Sequence, residues 1–365
     1  MKFKLMFCWS ALSSYFAQSI SSLDPHIFEI VIFHKGTGED NYVRKVFSNS
    51  KNCRLLEYSR FNPRDLATFE KSFSPDLLIV GGWQDRKYRS VLKQSNALRV
   101  LAMDNVYRGT LKQKIGIATS RLYLHNKFDC AFVAGSAQLD FAKKLGFQKD
   151  RIFKGVYSTK PPHFEFQAKS ITGRIDRHVP FLFVGRLVED KGIPTLIKGY
   201  ERYRQLSSSP RELHIYGAGE LSSLLLGREG VTSFGSISYE QLSVVYQEAI
   251  ALVLPSNREQ FGMVVVEACQ HALPVVLSEN VGSSKDLLQV NLNGYSFGAG
   301  DFESLARIFA KFDEMKIEEY LSFASTSYEM GKAFTPDKFI DSILGMIHLR
   351  ILSTKVNNIK NCKHT

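Results

Sequence analysis

Residues 181–200 read FLFVGRLVEDKGIPTLIKGY, and this stretch decides the fold prediction. The apolar run Phe181–Val184 has the composition of a buried strand, and a polar loop with two cations, Arg186 and Lys191, comes after it. Apolar side chains then recur at Ile193, Leu196, Ile197 and Tyr200. Because i, i+3, i+4, i+7 is the spacing of a helix packed on a sheet, the stretch predicts one βα unit of a parallel sheet.

The same alternation of short apolar runs and amphipathic stretches extends over most of the chain. In the first half we predict strands at Phe3–Phe7, Phe28–Phe33, Leu77–Val80, Leu98–Met103 and Cys130–Val133. In the second half we predict them at Phe181–Val184, Leu213–Tyr216, Val231–Phe234, Ile250–Leu254 and Pro274–Leu277. The periodicity stops over the polar, basic residues 158–180, which we interpret as a linker.

These patterns predict an α/β protein with two Rossmann-like domains. We place the domains at residues 1–165 and 178–345, followed by a C-terminal tail at residues 346–365. The two parallel sheets would face each other across a cleft. Ligands would bind there, outside the carboxyl ends of the strands.

Composition narrows the class of protein. With 365 residues, 23% of them charged and 44% hydrophobic, the chain is neither a disordered polymer nor a disulfide-stabilised mini-protein. Its five cysteines form no CxxC pair, so neither a disulfide framework nor a zinc cluster is expected. No apolar run approaches the roughly 18 residues that span a bilayer. We therefore expect a cytoplasmic protein that is soluble, or peripheral on the inner face of the cell membrane.

The N-terminus allows two interpretations. Lys2 and Lys4 precede the apolar run Leu5–Leu12, as in a signal peptide, but serines interrupt the run and no good small-x-small cleavage site follows. The alternative, which we prefer, makes residues 2–8 a buried first strand, with a loop and helix beginning near Trp9.

Charge is distributed unevenly. Residues 1–175 hold 28 lysines and arginines against 14 acidic residues, and residues 176–365 hold 19 against 22, so the halves carry +14 and −3. A basic half suits an anionic membrane surface or nucleic acid, and a solvated surface without a partner is the alternative. A predicted basic helix carries Lys112, Lys114, Arg121 and Lys127 with Leu111, Ile115, Ile117, Leu122 and Leu124. It could dock on an anionic bilayer, or it could be a solvated face.

Two segments of the second half combine anion-binding features. In the first, Gly185 precedes Arg186 and Lys191 at a predicted helix start, where two cations and free N–H groups suit a diphosphate. The alternative is a solvated loop. The second segment, residues 258–267, has a glycine at its helix start, and its candidate phosphate-binding backbone groups are those of Phe261, Gly262, Met263 and Val264.

Two glutamates belong to the second segment. Glu267 could accept both hydroxyls of a ribose, and Glu259, ahead of the helix, would face a sugar. The alternative is a helix cap and a surface glutamate, although a carboxylate among valines is rarely buried without a partner.

Glycine turns follow two further predicted strands, where backbone groups could meet a flat base. The candidate residues are Gly217 and Gly219 in Tyr-Gly-Ala-Gly-Glu, and Ser236 and Ile237 in Phe-Gly-Ser-Ile. A single GxG motif would carry little weight by itself.

In this order the motifs resemble a known family. Gly-Arg-x4-Lys-Gly, Tyr-Gly-x-Gly, Phe-Gly-x-Ile and Glu-x7-Glu are similar, over about residues 180–300, to the donor-binding domain of retaining, GT-B-fold glycosyltransferases of the group 1 type (family 4). These enzymes build bacterial polysaccharides and glycolipids. Arg186 and Lys191 match the family's diphosphate cations, and Glu259 and Glu267 match its paired glutamates.

The resemblance implies transfer of a sugar, with retention, from a UDP-sugar or GDP-sugar to a hydroxyl of a glycolipid or polysaccharide. It implies no metal and no cofactor. Arg186, Lys191 and the helix N–H groups near Gly262 would stabilise the leaving diphosphate, and Glu259 would hold sugar hydroxyls. Alternatives are a DNA or protein acceptor in the same fold, a nucleotide-sugar epimerase, and a non-enzymatic two-lobed sugar-binding protein. Nucleic acid is not expected as a partner, because no basic-aromatic recognition module is apparent.

The first half resembles the family only in outline. Where relatives often place a histidine at the end of an N-domain strand, residues 101–105 read LAMDN. Asp104 is the best substitute, as a ligand of a sugar hydroxyl or a base for the acceptor, and a cap of the next helix is the alternative.

Overall fold

The computed structural model describes residues 2–36, 41–48, 50–160 and 166–362. The chain forms two compact units. The first comprises Met1–Lys160 together with Phe334–Thr365, and the second comprises Pro161–Ala333.

A seven-stranded parallel sheet forms the centre of the first unit. Its strands are β1 (Phe3–Ala11), β2 (Phe28–Gly36), β3 (Cys53–Glu57), β4 (Leu77–Gly81), β5 (Leu98–Met103), β6 (Cys130–Val133) and β7 (Ile152–Lys154). Its early helices are α1 (Ser14–Ser21), α2 (Asn41–Ser48), α3 (Pro63–Phe73), α4 (Arg86–Leu92), α5 (Leu111–Tyr123) and α6 (Ser136–Lys144). The strand order β3-β2-β1-β4-β5-β6-β7 reverses direction between β1 and β4, as in a Rossmann fold.

The second unit repeats this plan with six parallel strands. They are β8 (Phe181–Val184), β9 (Leu213–Tyr216), β10 (Val231–Gly235), β11 (Ala251–Leu254), β12 (Val275–Ser278) and β13 (Gly294–Phe297). Its helices are α7 (Ala168–Asp176), α8 (Ile193–Leu206), α9 (Tyr239–Gln247), α10 (Met263–Gln270), α11 (Ser284–Leu287), α12 (Phe302–Glu314) and α13 (Ile317–Gly331). The strand order is β10-β9-β8-β11-β12-β13, so the direction reverses between β8 and β11. The prediction of two Rossmann-like domains is confirmed.

Part of the predicted linker is instead a helix. Over residues 158–180 we predicted irregular structure, but α7 forms there and Arg174 within it is only 1% exposed. The guanidinium of Arg174 donates hydrogen bonds to the carbonyls of Gln247 (3.1 Å), His271 (2.9 Å) and Ala272 (2.7 Å). An arginine that binds carbonyls at the ends of α9 and α10 adds nothing to an apolar pattern. The sequence therefore did not predict α7.

The predicted end of the second domain at residue 345 also differs from the structure. The last helix, α14 (Pro336–Cys362), belongs to the first unit and occupies most of the predicted tail. Phe339 packs on Phe132 of β6 with ring centroids 5.7 Å apart, and Ser342 donates a 2.5 Å hydrogen bond to the carbonyl of Lys154 in β7. Apolar side chains at helical spacing are buried here because they cover the first sheet: Phe339, Ile343, Met346 and Ile347.

The N-terminal residues form the central strand β1, which was the preferred interpretation. Leu5, Met6 and Cys8 are fully buried, and β1 pairs with both β2 and β4. The strand is longer than predicted and continues through Ala11, so Trp9 lies within it and α1 begins only at Ser14. In the described part of the chain no helix is long and apolar enough to cross a membrane.

Candidate functional site

The loops after β8 and β11 meet at the point where the second sheet reverses its strand order. The backbone N–H of Arg258 donates to the carbonyl of Asp190 at 3.0 Å, and Arg258 Nη2 lies 2.9 Å from Asp190 Oδ1. Asn257 Nδ2 also donates to the carbonyl of Glu189 at 3.0 Å. Because ligands of open α/β sheets bind at such a point, the two joined loops are the first candidate site.

Two of the predicted site residues form an ion pair between these loops. Lys191 Nζ donates to a carboxylate oxygen of Glu259, and the two side chains are 16% and 13% exposed. Limited exposure strengthens the attraction relative to a surface pair. The pair places one positive and one negative group side by side, which suits a ligand that has both phosphate oxygens and hydroxyls.

Close backbone packing holds Lys191 in place. Gly192 has φ +69°, and a Cβ built on it would lie 2.0 Å from the carbonyl oxygen of Pro255. Only glycine allows both this conformation and this approach of the two loops.

Helix α10 begins beside the ion pair. The N-cap residue that precedes it, Gly262, has φ +91° and provides no side-chain cap, and a Cβ there would lie 3.2 Å from Glu259 Cγ. An uncapped helix start presents N–H groups to an anion. The side chains of Phe261 and Met263 are buried, at 3% and 8% exposure, and Val264 is half-buried, so a ligand at this helix start would meet backbone groups of Phe261 and Met263 rather than their side chains.

The second glutamate is held by a residue that the sequence analysis missed. Glu267 is 3% exposed, and its Oε2 accepts a 2.7 Å hydrogen bond from the fully buried hydroxyl of Tyr246 in α9. A carboxylate among valines indicates that some residue must donate a hydrogen bond to it, but no spacing in the sequence identified Tyr246 as that donor.

His271 extends this buried group. Its ring stacks on Tyr246 with centroids 5.2 Å apart, Nδ1 lies 2.7 Å from the carbonyl oxygen of Glu267, and Nε2 lies 2.8 Å from Ser243 Oγ. Nδ1 must carry the proton to donate to a carbonyl, so Nε2 accepts from the serine hydroxyl. Burial lowers the pKa of His271 to about 4, so the ring is neutral at pH 7.

The predicted glycine turns lie at the ends of the neighbouring strands β9 and β10. The N–H of Gly217 donates to the carbonyl of Gly235 at 2.7 Å, and the N–H of Leu187 donates to that of Ala218 at 2.9 Å. Gly219 follows in the same turn, where a Cβ would lie 2.3 Å from the carbonyl oxygen of Leu187. The loops after β8, β9 and β10 therefore touch through their backbones.

Three predicted residues are less constrained. Arg186 and Ser236 are exposed and Ile237 is half-buried, each at the carboxyl end of a strand. Gly185 donates from its N–H to the carbonyl of Tyr216 at 2.9 Å, which fixes the start of the Arg186 loop. The structure thus joins Lys191 to Glu259 through a side-chain contact, and it joins the glycine turns through the backbone.

Asp104 belongs to the first unit, directly after β5. It does not cap the next helix, because the N-cap of α5 is Thr110. Instead Asp104 Oδ2 accepts a 3.1 Å hydrogen bond from Tyr157 Oη. Burial and the neighbouring carboxylate raise the pKa of Tyr157 well above its usual range, so the phenol keeps its proton.

Asp104 and Tyr157 line a cavity of about 250 Å³ at the carboxyl ends of β1, β4 and β5. Trp9, Ser10 and Ser13 also line it, as does Gly82. Aromatic, hydroxyl and carboxylate groups in one cavity suit a polyhydroxylated ligand. In the described part of the chain no group of three or more histidine, cysteine or acidic side chains is placed to hold a metal ion.

Comparison with known proteins gives a family match within the second unit. Residues 167–330 match the family model "Glycosyl transferases group 1". The uncharacterized glycosyltransferase MJ1607 of Methanocaldococcus jannaschii is 34% identical over 120 residues, which are 31% of this chain and 30% of that protein. An uncharacterized 41.2 kDa protein in the cps region of Klebsiella pneumoniae is 25% identical over 234 residues, 62% of each chain. The chain thus spans less than two thirds of the length of either curated relative.

A solved structure resembles almost the whole chain. HepE of Anabaena in complex with UDP has a TM-score of 0.71 and 13% identity, over 95% of this chain and 100% of that one, and the same protein has been solved with UDP-glucose. At this identity the likeness shows the fold, which is of the GT-B type. The region that matches the group 1 glycosyltransferase model, residues 167–330, contains the paired Lys191 and Glu259.

Proposed function

We propose that the protein transfers a sugar, with retention of the anomeric configuration, from a nucleoside-diphosphate sugar to a hydroxyl of a glycolipid or polysaccharide. The observation that carries this proposal is the ion pair of Lys191 and Glu259 beside the uncapped start of α10, at the strand-order reversal of the second sheet. The family match of residues 167–330 supports it.

The diphosphate of the donor would lie against Lys191, Arg186 and the first N–H groups of α10. The exposed Arg186 and the helix start supply positive charge and hydrogen-bond donors for phosphate oxygens. As the bond between the sugar and the phosphate breaks, negative charge grows on the leaving diphosphate, and these groups stabilise it. No metal or cofactor is required in this account.

The two glutamates would hold the sugars at either end of the diphosphate. Glu259, adjacent to Lys191, would accept hydrogen bonds from the hydroxyls of the transferred sugar. Glu267, oriented by Tyr246, would accept those of the ribose. The base would then lie toward the glycine turns after β9 and β10, with Gly217, Gly219, Ser236 and Ile237.

In the reaction the bond from the anomeric carbon to the diphosphate oxygen breaks, and a bond from the same carbon to the acceptor oxygen forms on the same face. The acceptor proton passes to the leaving diphosphate, so no enzyme nucleophile is needed. Glu259 would stabilise positive charge that develops on the sugar ring.

The relatives favour particular substrates. HepE has been solved with UDP and UDP-glucose, which supports a uridine nucleotide as the donor. The Klebsiella relative is encoded in a cps region, which supports a glycan acceptor. In the first unit, Asp104 and Tyr157 line a cavity that could bind an acceptor hydroxyl, with Asp104 as its ligand. An anionic membrane surface would be a further partner if the acceptor is lipid-linked.

The test is turnover of the variants Lys191→Ala and Glu259→Ala with a panel of UDP-sugars and GDP-sugars. Loss of one donor to the leaving group typically costs about 3 kcal/mol, so we expect Lys191→Ala to lose roughly 100-fold or more in kcat. Glu259→Ala should also lose turnover, because it removes the carboxylate that holds the sugar and stabilises its positive charge. The matched controls are Arg202→Ala and Glu303→Ala, an ion pair on α8 and α12 with Nε and Oε2 3.4 Å apart.

The controls should keep wild-type turnover, and all four variants should keep the wild-type circular dichroism spectrum. Normal turnover in folded Lys191→Ala and Glu259→Ala protein would refute the proposed role of the pair.

A further inference from the structure

Helix α5 carries a stripe of apolar side chains on its solvent-facing side. Leu111, Ile115 and Leu122 are 74%, 57% and 82% exposed, whereas Ser120 on the same helix is 3% exposed. At 3.6 residues per turn the three exposed side chains fall within about 40° of one another around the helix axis, and Ser120 lies roughly opposite them. The stripe therefore does not face the core of the first unit.

The structure corrects the sequence analysis of this helix. The sequence analysis named five apolar residues for a helix that could dock on a bilayer, but Leu124 is 2% exposed and Ile117 packs partly against the core cluster. Only Leu111, Ile115 and Leu122 remain available for an outside partner.

Positive charge surrounds the stripe. Lys112, Lys114 and Arg121 are exposed and flank it on both sides at helical spacing. Residues 105–127 contain five lysines and arginines and no acidic residue, and residues 86–127 contain ten against the single Asp104.

At the C-terminal end of α5 further cations come together. Lys127 Nζ lies 3.8 Å from the ring centroid of Tyr123, and Arg89 Cζ lies 5.4 Å from it. Burial, followed by the positive charges of Arg89 and Lys93, lowers the pKa of Lys127. Like charges held together in this way favour an anionic partner.

We propose that the exposed face of α5 docks the protein on an anionic lipid bilayer. Three leucine or isoleucine side chains would enter the boundary between headgroups and acyl chains, and the flanking cations would pair with lipid phosphates. Charge complementarity identifies this occupant, because the charged residues that flank the stripe on α5 are all cations, and an apolar stripe with such flanks matches a surface that is apolar inside and anionic outside. The proposal deepens the proposed function and rests on its membrane-linked acceptor.

The test is co-sedimentation of the full chain with two kinds of vesicle, phosphatidylcholine alone and phosphatidylcholine mixed with phosphatidylglycerol. The wild-type protein should bind the mixed vesicles and not the neutral ones. The triple variant Leu111→Gln, Ile115→Gln, Leu122→Gln should lose at least tenfold in partitioning. Each of Lys112→Gln, Lys114→Gln and Arg121→Gln should lose about fivefold, which corresponds to about 1 kcal/mol per cation near the surface.

Matched controls come from the second unit. The variant Leu226→Gln, Val244→Gln, Leu292→Gln removes three apolar side chains that are 77%, 63% and 53% exposed. The variant Lys169→Gln, Lys198→Gln, Lys316→Gln removes three exposed cations. Both should partition like the wild type.

Vesicle binding is measured without the sugar donor or the acceptor. The protein can therefore fail to bind vesicles while it transfers sugar, or bind vesicles while it does not transfer sugar. Equal binding to neutral vesicles, or full binding by the folded triple apolar variant, would overturn the proposal. So would a wild-type dimer in analytical ultracentrifugation that the triple variant loses, since the stripe would then cover a second copy. If the apolar variant does not fold, the three charge variants decide, and unchanged binding in all of them would overturn the proposal.

Discussion

Tyr246 and Glu267 form a buried pair in which the phenol donates a 2.7 Å hydrogen bond to carboxylate Oε2. Tyr246 is fully buried and Glu267 is 3% exposed, so the tyrosine fixes which way the carboxylate can point. A hydrogen bond to a charged group typically contributes about 1.5–3 kcal/mol. If Glu267 binds ribose, Tyr246 is a positioning residue for the nucleotide.

We therefore expect Tyr246→Phe to weaken binding of UDP about tenfold while it changes binding of 2′-deoxy-UDP much less. The reason is that a misdirected Glu267 loses its contact to the 2′-hydroxyl, which the deoxy ligand lacks. Isothermal titration calorimetry with both ligands measures the ratio of the two affinities.

The matched control is Tyr200→Phe, because Tyr200 is also fully buried and its hydroxyl donates to the carbonyls of Arg211 and Gly230 at 2.8 and 2.9 Å. This control should lower stability and leave the affinity ratio unchanged. Equal weakening of both ligands by Tyr246→Phe would mean that the tyrosine has only a structural role.

The loop of Lys191 depends on the absence of a side chain at Gly192. An alanine there would adopt a left-handed φ of +69° and place its Cβ 2.0 Å from the carbonyl oxygen of Pro255. We expect Gly192→Ala to lower the free energy of unfolding by more than the roughly 1–3 kcal/mol of a strained backbone alone, and to weaken donor binding by separating Lys191 from Glu259. Urea unfolding and calorimetry with UDP measure the two effects.

The variant Gly227→Ala is the control that separates backbone strain from the clash of a new Cβ with Pro255. Gly227 has a similar φ of +66°, but a Cβ built there meets no atom within 4 Å. This variant should show the conformational cost only and bind UDP normally. If the two variants behave alike, the contact with Pro255 does not shape the site.

Central strands were predictable from the sequence, but several edge strands were not. Each of the ten predicted strands is present. Nine of them lie inside a sheet, where strands that are buried on both faces read as continuous apolar runs, and the tenth, β10, is an edge strand. The three missed strands, β3, β7 and β13, all lie at sheet edges. Edge positions demand less burial, and CRLLE at Cys53–Glu57 accordingly mixes charged and apolar residues.

The proximity of the loops that carry Lys191 and Glu259 was predictable for a related reason. Lys191 and Glu259 come directly after predicted strands, and parallel topology brings the carboxyl ends of neighbouring strands together. Arg174, Tyr246 and Tyr157 were missed because each acts through hydrogen bonds to a distant part of the chain, between 21 and 98 residues away. The return of α14 to the first unit is likewise a tertiary contact that no local pattern encodes.

Acid should destabilise the protein in part through His271. Burial lowers its pKa from 6.5 to about 4 in the folded state, so the unfolded chain binds the proton more readily. The stabilising contribution, about 3 kcal/mol, is therefore complete above pH 6.5 and is lost as the pH falls through about 4. Urea unfolding of the wild type and of His271→Gln across this range should give curves that converge on acidification. Parallel curves would contradict the assignment.

The buried Arg174 should stabilise the second unit more than any exposed arginine near it. Its three hydrogen bonds satisfy carbonyls of Gln247, His271 and Ala272, and Arg174→Ala would leave these buried groups without their charged donor. We expect a loss of about 3–5 kcal/mol in the free energy of unfolding. Arg174→Lys should recover only part of it, because an ammonium lacks the planar fork of donors. Urea unfolding followed by circular dichroism measures both.

Arg177 is the matched control for Arg174, since it follows α7 directly and pairs with Glu248 through Nη1 and Oε2 at 2.5 Å. Both of these side chains are about half exposed, so Arg177→Ala should cost less than about 1 kcal/mol. A similar loss in Arg174→Ala and Arg177→Ala would show that the buried carbonyls find other donors. In that case α7 would not be needed to hold the ends of α9 and α10, the helices that carry Tyr246 and Glu267.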